Sequence, residues 1–322
     1  MTTRAVLKRT AGACLLGLGV VALLAASERA AGPRDITVAW FPTLPTQGSP
    51  VHLLVRPDSG AEEPTAVHGA LAGQELHFEP TAGGWHALAG IPVNTQGSIP
   101  LTLTTEYGGG GADHHFQRIP LVSGEFKVEK LRVDRRFVDQ PDSALQERIA
   151  REREAARAVH RESHAAPRLW HGRFSRPLPG RVTSWFGTGR EFNGQLQSRH
   201  LGVDLDGDRG DPVLAANRGV VALVGDFYYS GRVVYLDHGR GLVTAYLHLS
   251  QVDVAAGDTL ERGGLVGRVG ATGRVTGPHL HWMVRYGRVS LDGLRLLELD
   301  LSSFGEPEYV ADTGAAAAAD GS

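Results

Sequence analysis

The chain has 322 residues, a formal net charge of -2, 42 glycines, 14 histidines and a single cysteine. That length accommodates two domains with their own cores, and 42% apolar with 21% charged residues excludes a wholly disordered or fibrous chain. The lone cysteine, Cys14, lies in an apolar N-terminal run. Disulfides and cysteine-bound zinc are therefore excluded once that run is removed, and any metal must be held by His, Asp or Glu.

Arg4, Lys8 and Arg9 precede the apolar stretch Ala11 to Ala26, which Ser27, Glu28 and Arg29 follow at once. This is the pattern of a secretory signal over residues 1–27, with Ala25 and Ser27 as the small-residue cleavage pair. An uncleaved membrane anchor is the alternative, although a span needs about 20 apolar residues. Either way the remainder is exported, to the periplasm or cell envelope, and it contacts a membrane only if this segment stays attached. Most of the apolar run follows Cys14, which argues against a lipoprotein signal.

Residues 34–138 carry short alternating or apolar runs (ITVAWF, VHLLV, ELHFEP, GWHALAGIPV, SIPLTLTTEY, FKVEKLRV) broken by Gly and Pro. The spacing predicts an immunoglobulin-like antiparallel β-sandwich, with Gly108 to Gly111 as a hairpin tip and His114 and His115 in its exposed loop. Residues 142–166 predict a connecting helix and linker, opened by a Ser143/Gln146 capping box. Leu145, Ile149, Ala156 and Val159 fall at helical spacing, and Glu147 and Arg151 form an i,i+4 pair. Its acids and bases interleave, so it reads as a solvated helix and not as a nucleic-acid-binding surface. Pro167 closes the connector.

Residues 167–300 are rich in glycine and valine, with many strand signals and no long helical period before Leu291. They predict a compact antiparallel β domain, so the whole chain is mainly β. The tail 309–322, ending GAAAAADGS, has no packing signal.

Three clusters in the second domain carry candidate chemistry: His200-Leu201-Gly202-Val203-Asp204, Tyr246-Leu247-His248-Leu249 and His279-Leu280-His281-Trp282. In a strand, the imidazoles of H-x-H share one face while Leu280 and Trp282 face the core, with the two Cα atoms about 6–7 Å apart. One can bind a metal while its neighbour reaches the metal's water; spacing alone does not choose between His279 and His281. His200 and Asp204 would lie about 13 Å apart on a straight strand, too far to share one ion. If both are ligands the segment must bend, and Gly202 is the residue that permits it. Two imidazoles and one carboxylate leave a fourth position for water, as in catalytic zinc sites. His248 and one of the H-x-H pair remain to move protons or hold an oxyanion. His238 reads as a packed turn residue, and His52, His68, His77, His86, His160, His164 and His171 receive no role.

Taken together, H-x-x-x-D, Y-x-H-L and H-x-H resemble the lysostaphin-type (LytM-type) zinc endopeptidases, which cut peptide cross-links in bacterial peptidoglycan. The stretches Thr183 to Gly187, Arg190 to Gly194, Asp237 to Gly239 and Gly273 to Trp282 are similar to that family's framework, and the resemblance covers residues 165–300. It implies one zinc ion per chain bound by His200, Asp204 and His281, with His248 and His279 as the catalytic pair. It also implies peptidoglycan stem peptides as substrate. Some relatives carry a tyrosine upstream of the first ligand; here Phe192-Asn193-Gly194 occupies that region, and Arg190 or Asn193 is the substitute. The family's closing Asp-Pro is replaced by Leu291-Asp292-Gly293. Two other readings are a non-enzymatic cell-wall module that activates an amidase, as in relatives that have lost ligands, and a zinc hydrolase acting on another peptide.

Overall fold

The computed structural model describes residues 33–305 apart from 138–139 and 193–194. The expected export segment 1–27, Cys14, Asn193 and the tail 309–322 lie outside the described residues. Among those described, no helix is long and apolar enough to cross a membrane.

The N-terminal strands form two four-stranded antiparallel sheets. One runs in the order Ile36–Phe41, Pro50–Pro57, Gly84–Gly90, Glu79–Thr81; the other runs Gln74–Leu76, Pro64–Leu71, Ser98–Tyr107, Ala112–Pro120. Alternation decides which side of each strand turns inward: along Ser98–Tyr107, Ile99, Leu101 and Leu103 are buried while Thr102 and Glu106 are exposed. Val51, Leu53 and Val55 from the opposite sheet close the same core.

Two expectations for this region need correction. His114 and His115 lie within the strand Ala112–Pro120, opposite Thr104 and Leu103, and bond the cross-strand Thr104 and Thr105 hydroxyls at 3.0 and 3.1 Å. More consequentially, Val128–Leu131 is not part of the sandwich. It runs parallel to Gly189–Phe192, with Val128 opposite Gly189 and Leu131 opposite Phe192. Its alternating pattern fits any open sheet edge; Gly189–Phe192, paired on its other side by Gln195–Arg199, supplies that edge in the C-terminal half. The last strand of these two sheets is Ala112–Pro120, followed by a bridge between Thr46 and Val122.

Helix α1 (Ser143–Glu162) begins one residue earlier than a Ser143 cap requires. Asp142 is the cap, its Oδ1 accepting from Leu145 N–H at 2.8 Å, and the Gln146 amide donates to Pro141 O. Ile149 and Val159 are buried, and Val159 packs on Tyr235, Val243, Ala245 and Leu247.

The C-terminal half centres on a sheet in the order Val182–Ser184, Val203–Leu205, Leu280–Tyr286, Leu242–Leu249, Gly231–Asp237, Gly219–Phe227, Thr259–Leu260. One face carries the fully buried Tyr246, Leu280, Trp282 and Val284, in the main core. The other carries His281, Met283 and Leu247, and α1 covers its far end. Both faces of Leu242–Leu249 are thus covered, and every residue of it is buried.

One apolar cluster runs from the sandwich into the C-terminal half. Gly90 lies so close to Leu291 and Val289 that a Cβ there would meet Leu291 Cδ2 at 2.7 Å. The Arg168 guanidinium ties the parts together, donating to Glu79 Oε2 (2.8 Å), Trp170 O (2.7 Å) and Phe304 O (2.9 Å).

Candidate metal centre

His200 and Asp204 converge although four residues separate them. The chain leaves Gln195–Arg199, is anchored at His200 by N–H to Thr188 O (2.7 Å) and C=O to Gly187 N–H (2.8 Å), and bends before entering Val203–Leu205. Gly202 permits this, but not through a left-handed backbone. A Cβ at 202 would sit 2.7 Å from both His281 Nε2 and Trp282 O, so glycine is required for close approach. Asp204 stands directly opposite His281 across the strand pair.

His200 Nε2 lies 2.9 Å from Asp204 Oδ1 and 2.9 Å from His281 Nδ1, and His281 Nδ1 lies 2.6 Å from Asp204 Oδ1. All three residues are buried. The other ring nitrogen of His200, Nδ1, faces the carbonyl of Trp185 at 3.0 Å and Ser184 Oγ at 3.1 Å. That partner selects the tautomer with the proton on Nδ1 and leaves Nε2 as a lone pair. Two imidazole lone pairs and a carboxylate oxygen then crowd one another in a buried space, an arrangement that a cation relieves. Tetrahedral zinc sets its ligand atoms about 3.3 Å apart, so the three donors need only move apart slightly from 2.9, 2.9 and 2.6 Å to hold it, and nitrogen and oxygen donors suit it. The donor set fits one zinc ion.

Burial alone would push the Asp204 carboxyl up, but His281 beside it and the two imidazoles that face its Oδ1 hold it well below the usual carboxylate range. Burial drives His281 down to about 4 despite Asp204. Both directions keep the donors in their metal-binding forms at neutral pH.

His248 and His279 border the cluster. The register between Gly231–Asp237 and Leu242–Leu249 slips here: Arg232 faces Leu249 and Val234 faces Tyr246, so Leu247 and His248 together oppose one residue. His248 sits in this bulge with φ of 65°, a left-handed conformation uncommon for a residue bearing a Cβ. The bulge turns its ring to within 5.0 Å of the His279 centroid and 5.9 Å of the His281 centroid. His248 Nδ1 donates to Thr272 O (2.8 Å) and His279 Nδ1 to Gly277 O (2.9 Å), which leaves both Nε2 atoms free to exchange protons. His279 Nε2 lies 3.9 Å from Asp204 Oδ1. Burial, then the neighbouring His279 and His281, hold His248 well below its ordinary value.

Several supporting contacts were not legible in the sequence, although Arg190 itself was singled out there in place of the upstream tyrosine. Arg190 donates to Asp204 Oδ2 and, at 3.3 Å, to Ser184 Oγ, so it braces a ligand carboxylate. Ser184 Oγ in turn donates to Glu129 Oε2 at 2.8 Å, which brings the strand after the sandwich into the support of His200. Phe192 is buried beneath Arg274. The remaining backbone carbonyls carry no side-chain signature at all.

The other histidines are held apart from this cluster. His238 is fully buried between Arg218 O (2.7 Å) and the Thr244 hydroxyl (2.8 Å). His52 Nε2 meets His86 Nδ1 at 2.7 Å inside the sandwich. His77 Nε2 meets His164 Nδ1 at 2.8 Å where the sandwich joins the connector, with Glu75 completing a group whose donor atoms lie within 4.8 Å.

Known proteins share this arrangement of sequence. Residues 198–293 match the model of peptidase family M23. The peptidoglycan DD-endopeptidase ShyA of Vibrio cholerae is 43% identical over 26% of this chain and 19% of its own length. The cell division protein DipM of Caulobacter vibrioides is 38% identical over 36% of this chain and 18% of its own. These matches thus span about a fifth of each curated relative. The crystal structure of a putative peptidase M23 from Pseudomonas aeruginosa is 27% identical, covers 79% of this chain and 95% of that one, and superposes with a TM-score of 0.57. The chain therefore carries a domain of peptidase family M23, with the three converging donors and His248 inside the matched residues.

Proposed function

We propose that this protein is a zinc-dependent endopeptidase that hydrolyses peptide cross-links of bacterial peptidoglycan in the cell envelope. The observation that carries the reading is the convergence of His200, Asp204 and His281 on one point, with His248 and His279 alongside. Two relatives, ShyA and ShyC of Vibrio cholerae, are named peptidoglycan DD-endopeptidases, which supports the substrate class.

His200, Asp204 and His281 hold the ion, and Arg190 keeps the Asp204 carboxylate oriented through its second oxygen. Bound there, zinc would lower the pKa of a water toward 7 and polarise the scissile carbonyl. His248 and His279, with Nδ1 committed to backbone carbonyls, present Nε2 to take the attacking water's proton, to pass it to the leaving amine and to hold the developing oxyanion. The bulge at His248 fixes its ring before substrate arrives.

The same reading divides the chain into an export segment over 1–27, the sandwich ending at Pro120, a connecting strand and helix, and the peptidase domain from Pro167 to about 300, with the sandwich presenting that domain to the wall. The decisive experiment is digestion of purified sacculi by the zinc-loaded full-length protein, with released fragments identified by mass spectrometry. Cross-linked peptides fall while the His248→Ala protein leaves them intact. Absence of fragments from both proteins would sink the reading and favour a module that activates another hydrolase, which needs no metal.

A further inference from the structure

Beside the candidate metal centre lies a groove of about 460 Å³ whose walls include Glu129, Arg190, Phe192, Asp204, Arg274 and His279. Arg274 is held in its wall by two aromatic rings. Its guanidinium carbon sits 4.4 Å from the Phe192 ring centroid and 4.6 Å from that of Tyr229, so two aromatic faces fix the plane of the fork. Its backbone N–H is tied to Tyr229 O at 2.9 Å, which fixes the root of the side chain as well.

Among the described residues no acid answers its charge. The two acids in the groove are committed elsewhere: Glu129 accepts from Ser184, and Asp204 takes Arg190 while facing the imidazoles. Among the described residues no carboxylate pairs with Arg274, and the cations that act on it are Arg190 and Arg153, of its own sign. A half-buried, immobilised, unneutralised guanidinium in a groove wall is arranged to receive an anion. The planar fork matches a carboxylate bidentately, and little side-chain entropy remains to be lost on binding.

We propose that Arg274 is a specificity residue that binds a free carboxylate of the peptide substrate, anchoring the chain in the groove beside His279. This rests on the endopeptidase reading for the identity of the ligand, not for the existence of an anion site. A charge-assisted pair of this kind is worth roughly 10- to 100-fold in affinity.

The test uses the full-length protein and two purified cross-linked stem-peptide dimers, one with free carboxylates and one with the same groups converted to carboxamides. Kd is measured by calorimetry on the metal-free protein and KM and kcat on the zinc-loaded one. The wild type favours the free-acid dimer by about 10- to 100-fold, chiefly in Kd and KM. Arg274→Met erases the preference, and Arg274→Lys, which keeps the charge but not the fork, restores part of it. Equal binding of the two dimers by the wild type overturns the proposal, as does an equal loss on both dimers in Arg274→Met. Preferential binding without cleavage of either dimer would uphold the carboxylate site and reject the endopeptidase reading.

Discussion

Gly202 passes directly beneath the imidazole of His281: a Cβ at 202 would lie 2.7 Å from Nε2 and 2.8 Å from Cε1, with Trp282 O 2.7 Å away on the neighbouring strand. The added methyl of Gly202→Ala must move the ring or part the strands that set Asp204 opposite His281. The expected result is a fall in zinc affinity of about 10- to 100-fold, read by titration against a competing chelator. Unchanged affinity would mean that the contact does not position the ligand.

Removing a donor is more severe. His281→Ala is expected to abolish stoichiometric zinc and hydrolysis together, because the remaining two donors leave the ion without a protein tripod. Elemental analysis after dialysis checks the stoichiometry. The wild type should hold one zinc per chain and lose its activity reversibly to a chelator.

His248 should behave differently. His248→Ala keeps all three donors, so zinc content stays at one per chain while kcat falls by about 10²- to 10⁴-fold. Loss of zinc in this variant would show that His248 supports the donors and not the proton transfers.

Stability should depend on pH through His238. Burial drives its pKa from 6.5 down to about 4, opposed only in part by the carbonyl of Arg218. Its folded pKa lies below its unfolded one, so its contribution is complete above pH 6.5 and is lost as pH falls toward 4, where the ring must charge or the site must open. The loss is about 3 kcal/mol at most over that window. Urea unfolding at a series of pH values tests it: His238→Gln should show a shallower decline than the wild type.

Arg168 holds the sandwich to the C-terminal half. Its side chain is buried and donates to Glu79 and to the carbonyls of Trp170, Phe304 and Gly305, so Arg168→Met leaves four acceptors without their donor. A loss of about 3–5 kcal/mol is expected, measured by denaturant unfolding. A loss below about 1 kcal/mol would show that the apolar contacts around Gly90 and Leu291 suffice.

The sandwich strands were legible because Ser98–Tyr107 and its neighbours alternate inward and outward with period two, and the helix because Ile149 and Val159 recur at helical spacing. Val128–Leu131 was assigned to the wrong sheet because alternation shows which face of a strand is apolar and says nothing of which edge it meets. His114 and His115 were placed in a loop because the glycine run obscured where the strand begins. The bend at Gly202 was predicted from the reach of a zinc ligand, but the reason only glycine fits there, the His281 ring overhead, needed a partner 79 positions away in the chain.

The sequence by itself determined the donor chemistry. With Cys14 alone in the N-terminal apolar run, only His and carboxylate ligands remained, and H-x-x-x-D with H-x-H provided them. Tertiary structure decided what those side chains can do. The bulge that turns His248 toward His279, the carbonyls of Trp185 and Thr272 that select ring tautomers, and the Glu129–Ser184 support of His200 all join residues distant in sequence. A carbonyl is present at every residue, and a bulge arises from a mismatch between two strands, so neither leaves a mark in the chain until the strands pair.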